Sequence, residues 1–262
     1  MSKGKQVDKR SPLLRGWEIF GDIFVINVMF LLCSLPVVTI GASLCALYAM
    51  CMKLVNREES TIVRGFWTEF KRNLKQGTIA WIIVVFVMIA IWGGLFYVIN
   101  FEGIITKIYT VFVVLEIVAL ALILPFLFPL IARYENTLWN TAKNALLLSI
   151  SNLGKWLKIF LAWFAPITFC VIEPKLFFNI WYLWLIIAFG LIGYGTSHTL
   201  LKVFDRVSDV KEEKIERAEK EKEREQEKYS THGVIRKRAM YGAEISSDNV
   251  QENEPVKESE NE

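Results

Sequence analysis

TIAWIIVVFVMIAIWGGLFYVI, residues 78–99, runs for 22 positions without a charge. At about 1.5 Å of rise per residue, roughly 20 apolar residues cross the roughly 30 Å hydrocarbon core of a bilayer. A surface helix of a soluble protein keeps a polar face, and this stretch has none. Residues 108–132 form a second apolar run with a single charge, Glu116. Residues 176–201 form a third with no Asp, Glu, Lys or Arg. Residues 157–172 are shorter, with Lys155 and Lys158 placed to snorkel toward the interface. Four such runs imply an all-α, polytopic transmembrane helical bundle.

The apolar region 20–52 is too long for one upright span and short for two. Its middle reads SLPVVTIG, residues 34–41. Pro36 removes a backbone donor and clashes with the preceding turn. Val38, Thr39 and Ile40 are β-branched and Gly41 permits a turn. Two short helices are therefore expected, 20–35 and 42–54, around a break at Pro36, Thr39 and Gly41. Thr39 and Asn27 are candidates to satisfy the backbone groups freed there.

Charge sets the expected sidedness. The segment before the first helix carries Lys3, Lys5, Lys9, Arg10 and Arg15, and the polar stretch after the second carries Lys53, Arg57, Arg64, Lys71, Arg72 and Lys75. Short basic loops stay in the cytoplasm, so the intervening region should go out and return. The segment around Arg133, Lys143, Lys155 and Lys158 is likewise basic, whereas 100–107 and 173–175 are nearly neutral. This map predicts about six crossings with both termini cytoplasmic. Trp17, Trp81, Trp92, Tyr97, Trp156, Trp181, Tyr182 and Trp184 lie mostly near predicted span ends, as interfacial rings do.

The expected organisation is a basic segment at 1–19, a transmembrane domain at 20–205 and a charged tail at 206–262. Between spans, 63–76 and 136–149 have helical periodicity and are expected as amphipathic helices on the inner surface. Their predicted apolar faces are Phe66, Trp67, Phe70 and Leu74 in the first, and Leu138, Trp139, Ala142, Ala145 and Leu146 in the second. In 208–228, Glu precedes Lys or Arg by three or four residues repeatedly, which supports a solvated helix. Residues 229–262 are polar and expected to be disordered.

Chemistry-bearing residues are sparse. Glu116 is the one ionisable residue well inside a predicted span, and charges there are expensive and often functional. It is a candidate for binding a proton, a cation or a substrate, or for standing protonated against a neighbouring helix. Arg133 and Glu135 are candidates for an inner-face latch to the basic stretch after Met52. His198 and His232 are the only histidines and lie in different regions, so no metal site is expected. Cys33, Cys45, Cys51 and Cys170 all fall in apolar runs without a C-x-x-C pair and read as buried thiols. No phosphate loop, nucleophile elbow or H-E-x-x-H motif is present. Neither enzymatic activity, nor a cofactor, nor a nucleic-acid partner is expected.

The stretch NVMFLLCSLPVVTIGASLCALY, residues 27–48, resembles the signature of the YesL-like family of bacterial multi-pass membrane proteins of unknown function. Arg57-Glu-Glu-Ser60 with Phe66-Trp67 and Phe70-Lys71, and PLIARYENTLWNTAKNA at 129–145, follow the same pattern. The resemblance covers about 14–205, and the tail looks like an addition. It implies a bacterial plasma-membrane protein whose relatives are often encoded beside sugar ABC transporter components and polysaccharide-degrading enzymes. An accessory or regulatory role in carbohydrate uptake is the expectation that follows, with transporter subunits as partners and a homo-oligomer left open. The alternative is a small secondary transporter or channel using Glu116.

Overall fold

The computed structural model describes residues 12–58, 61–173, 175, 179, 182 and 184–251. The basic residues at 3–10, much of the start of the third uncharged run, and 252–262 lie outside them. The described residues are helical with no strand. The helices are α1 (Pro12–Ser34), α2 (Ile40–Asn56), α3 (Ile62–Asn100), α4 (Ile104–Arg133), α5 (Leu138–Ser151), α6 (Leu153–Ile172) and α7 (Phe189–Gln251). The chain divides into two compact units, Met1–Phe204 and Asp205–Glu262.

Among the described residues five helical segments are long and apolar enough to cross a membrane: Leu13–Ser34, Val37–Asn56, Ile62–Asn100, Ile104–Arg133 and Ile186–Arg224. Among the described residues the count rises to six if α5 and α6, bent by 107° at their junction, are taken as one broken span. The protein is a multi-pass, all-α membrane protein.

The break after α1 follows from Pro36, which bars helical geometry at Leu35. A single tight turn, Val37–Thr39, leads into α2. The Thr39 hydroxyl lies 2.7 Å from both the Cys33 and the Pro36 carbonyl oxygens and shares its proton between them. Gly41 is not the turn: it sits in the first helical turn of α2, where its lack of a Cβ serves packing.

α2 is the core of the bundle, and from Gly41 to Met52 every residue except Leu44 is buried. It lies against α3 through backbone contact, because a Cβ at Gly41 would stand 2.2 Å from the Gly77 carbonyl oxygen. Without a hydrophobic driving force inside lipid, close approach of small residues supplies the packing attraction between helices. The buried stripe of α3 is Phe66, Phe70, Asn73, Gly77, Ala80 and Val84. Its alternating spacing of four and three keeps one seam facing α2.

α3 departs from the expected pair of elements, a surface helix followed by a span. It is a single helix of 39 residues, about 58 Å long. Nothing between 63 and 99 breaks it, as the stretch holds no proline. The excess over a bilayer core is its Glu- and Lys-containing first part. Trp67 and Leu74 are exposed rather than on the buried face. α5 differs likewise: Thr141, Ala145, Leu148 and Ser149 are buried, whereas Trp139 is exposed with the Lys143 ammonium 5.0 Å over its ring.

α4 continues through Pro125 and Pro129. A proline inside a helix leaves the carbonyl four residues earlier without its partner, and Pro125 does this to Ala121. The Trp156 indole N–H donates to the Ala121 carbonyl oxygen at 3.1 Å. Ser149 Oγ donates to the neighbouring Leu122 carbonyl. The start of α6 and the end of α5 thus donate to carbonyls of α4 one turn before Pro125. Trp156→Phe keeps the ring but removes the donor, and should cost about 1–2 kcal/mol. Thermal unfolding in detergent measures this, and a variant melting with the wild type would remove the role assigned to the indole.

In the second unit, α7 carries Glu213 paired with Arg217 and Glu216 paired with Lys220, each four residues apart and exposed.

Candidate functional site

The end of the bundle where α2 finishes and α3 begins holds a buried carboxylate. Glu69 is 3% exposed. Lys53 Nζ, near the end of α2, donates to Glu69 Oε1 at 2.7 Å. Arg72, one turn further along α3, brings Nη2 to 2.6 Å from Glu69 Oε2 and donates to the Ala132 carbonyl at the end of α4 at 2.7 Å. Gln76 Nε2 donates to the Asn136 carbonyl at 2.6 Å. Three helix ends are held together by one carboxylate, two cations and one amide. Charge-assisted bonds of this kind are short and directional.

Of the proposed latch residues, Arg133 lies with its guanidinium 5.5 Å from the Phe204 ring and 5.9 Å from the Tyr134 ring. Glu135 is exposed in the turn after α4. Lys53, directly after Met52, pairs with Glu69, whose other oxygen faces Arg72. Glu69 escapes notice in the sequence because its neighbours Lys71, Arg72 and Lys75 give the stretch a solvated look. The available signal is its register: 66, 69, 70, 73 and 77 fall on one helical face.

Asn27 meets a backbone group far from the Pro36 break in sequence. Its Oδ1 accepts a bond at 2.9 Å from the Gly190 amide, which follows a wide helical turn at Trp184–Ala188. A wide turn displaces the regular i→i−4 ladder, and the fully buried Asn27 meets an amide there. The Trp163 indole donates to the Tyr48 hydroxyl at 2.7 Å. These contacts tie α1 to α7 and α2 to α6.

Glu116 sits on α4, half-buried, in the wall of two cavities between α3 and α4. One, of about 320 Å³, is apolar apart from the carboxyl and is bounded by Val84, Val87, Leu120, Ile123 and Ala142. The other, of about 390 Å³, runs toward the α3–α4 turn and is bounded by Ala90, Gly93, Gly94, Tyr97, Tyr109 and Phe112. Tyr97 and Tyr109 meet with ring centroids 5.1 Å apart. Gly94 lets α4 approach closely, since a Cβ there would lie 2.4 Å from Val113 Cγ2. Nothing lies within 4 Å of a Cβ built at Gly93, which leaves a notch above it. Among the described residues Glu116 makes no ion pair. Tyr97 and Tyr109 are legible in the sequence as interfacial rings, but their place in a cleft with Glu116 depends on how α3 and α4 are registered.

Among the described residues no three His, Cys, Asp or Glu side chains gather as they would around a metal ion. Cys33, Cys45 and Cys51 are free thiols.

No curated protein and no solved structure matches the chain. Residues 23–95 match the family described as protein of unknown function, DUF624. The matched stretch contains the Pro36 break, the Gly41–Gly77 contact and Glu69, and it ends before Glu116.

Proposed function

We propose that this chain is a YesL-like protein of the bacterial plasma membrane, with both termini cytoplasmic, acting as an accessory or regulatory component of carbohydrate ABC transport. The observation that carries the reading is the α3–α4 hairpin. From residue 82 to 118 only Val84, Gly94 and Val113 are buried, while Phe86, Trp92, Phe96 and Phe112 are well exposed. Exposed apolar surface of this extent marks contact with lipid or with another chain's membrane helices. A transporter subunit is the occupant that the family resemblance favours. The orientation is supported by Lys53, Arg72 and Arg133 at one end of the bundle, as short basic loops favour the cytoplasm.

The test is co-purification of the tagged full chain from its own membranes in mild detergent. A sugar permease, solute-binding protein or transport ATPase should be retained, and retention should fall when Phe86 and Trp92 are both changed to alanine. Retrieval of none of these, or of a second copy of the chain alone, would remove the accessory reading.

A second reading rests on the two cavities beside Glu116: a small secondary transporter or channel that uses this carboxyl. It requires solute movement in liposomes by the purified protein and its loss in Glu116→Gln. Flux that survives the substitution would sink it.

A further inference from the structure

We propose that the cleft running from Tyr97 and Tyr109 to Glu116 binds a compact organic cation, a protonated amine or quaternary ammonium group. The inference deepens the second reading, because it assigns a ligand class to the same carboxyl. Binding does not require transport, so the two can fail separately.

The depth of Glu116 is the starting point. Tyr97 and Tyr109 lie near the α3–α4 turn, where aromatic rings settle at the membrane interface. Glu116 is seven residues further along α4 than Tyr109, about 10 Å deeper. Its side chain is too short to reach back to water over that distance. A carboxylate at this depth calls for a partner, and among the described residues it makes no ion pair. The cleft provides the approach: Ala90 and Gly93 remove side-chain bulk from α3, and the cavity of about 390 Å³ holds a small headgroup.

The lining selects among ligand classes. A sugar would leave most of its hydroxyls facing Ala90, Gly93 and Phe112, and unmet polar groups are costly. An anion would meet Glu116 with like charge. A bare divalent ion needs six or more oxygen ligands, and Glu116, Tyr97 and Tyr109 are the lining residues whose side chains carry oxygen. An ammonium group meets a carboxylate at its charge, and Phe112, one turn from Glu116 on α4 and in the same cavity wall, offers an aromatic surface to its methylene or methyl groups. The ligand could be a free amine or the headgroup of an amine-bearing lipid, and these share the chemistry.

The experiment uses the full chain in nanodiscs of phosphatidylglycerol, which carries no amine. Choline and ethanolamine are titrated calorimetrically as soluble probes. A minor fraction of phosphatidylethanolamine is added in a parallel arm, and lipids retained by the protein are counted by native mass spectrometry. A soluble probe or the amine lipid should bind the wild type, and Glu116→Gln should weaken that binding by about tenfold or more, as loss of a charge-assisted contact implies. Gly93→Leu, which fills the notch and leaves the carboxyl in place, should also abolish it. Melting in the same nanodiscs verifies that both variants fold, and Gly93→Leu alone suffices if Glu116→Gln does not. Soluble-probe binding identifies a free amine, and lipid retention alone identifies a headgroup. Failure of both probes to bind wild type, equal binding by the variants, or Glu116 cross-linking to a basic helix of another chain in place of probe binding would overturn the proposal.

Discussion

Gly41→Val should disrupt the α2–α3 packing and lower stability by about 3 kcal/mol or more, at the upper end of what overpacking costs. The reason is that its Cβ meets backbone. It would stand 2.2 Å from the Gly77 carbonyl oxygen and 2.6 Å from Trp81 Cβ. Side chains can rotate away from an intruder, but the Gly77 carbonyl is fixed in the ladder of α3. The helices would have to separate along the seam from Phe66 to Val84. Gly77→Val should behave alike, since its Cβ would lie 2.8 Å from Ala42 N and Cα. Gly93→Ala is the control: no atom lies within 4 Å of that Cβ, and the alanine favours helix by up to about 1 kcal/mol. Unfolding followed by denaturing detergent or temperature distinguishes them. A Gly41→Val protein as stable as Gly93→Ala would disprove the backbone contact.

The second large effect concerns the order in which charges are removed around Glu69. Changing both Lys53 and Arg72 to methionine leaves a carboxylate that is 3% exposed without a cation, at a cost of about 3–5 kcal/mol. Glu69→Gln should cost less, about 1 kcal/mol. The side chains of Lys53 and Arg72 are 33% and 49% exposed, so both can rehydrate when the acid is gone. Adding Glu69→Leu to the double methionine variant should recover most of the loss, because apolar groups of similar size replace a buried pair well. The same unfolding assay measures all four proteins. If the double methionine variant proved no less stable than Glu69→Gln, the carboxylate would not be the buried member of the cluster. The Arg72 bond to the Ala132 carbonyl adds a second consequence: its loss should loosen the end of α4 as well.

The membrane class and the position of the chain break could be read from local order alone. Residues 78–99 are apolar on every face, and no tertiary context makes such a helix soluble. Pro36 ends a helix by its own ring, and Thr39, three residues on, is close enough to bond the Pro36 carbonyl. Both effects act over a few residues, so the sequence carries them whole. The i,i+4 Glu–Lys and Glu–Arg pairs of α7 are legible for the same reason. Tertiary structure decided what depends on a second helix. Gly41 looks like a hinge until Gly77 is seen against it. Asn27 lies near the break in sequence, yet its partner is the Gly190 amide. Trp156 reads as an interfacial ring, yet it meets the carbonyl freed by Pro125. Glu69 lies among charges that suggest water, and only packing against α2 buries it. Glu116 announces itself as a charge in an apolar run, but its tyrosine-rimmed cleft exists only in the register of α3 against α4. Periodicity and breakers act through bonds along one chain segment, whereas burial and partner choice depend on distances that folding alone sets.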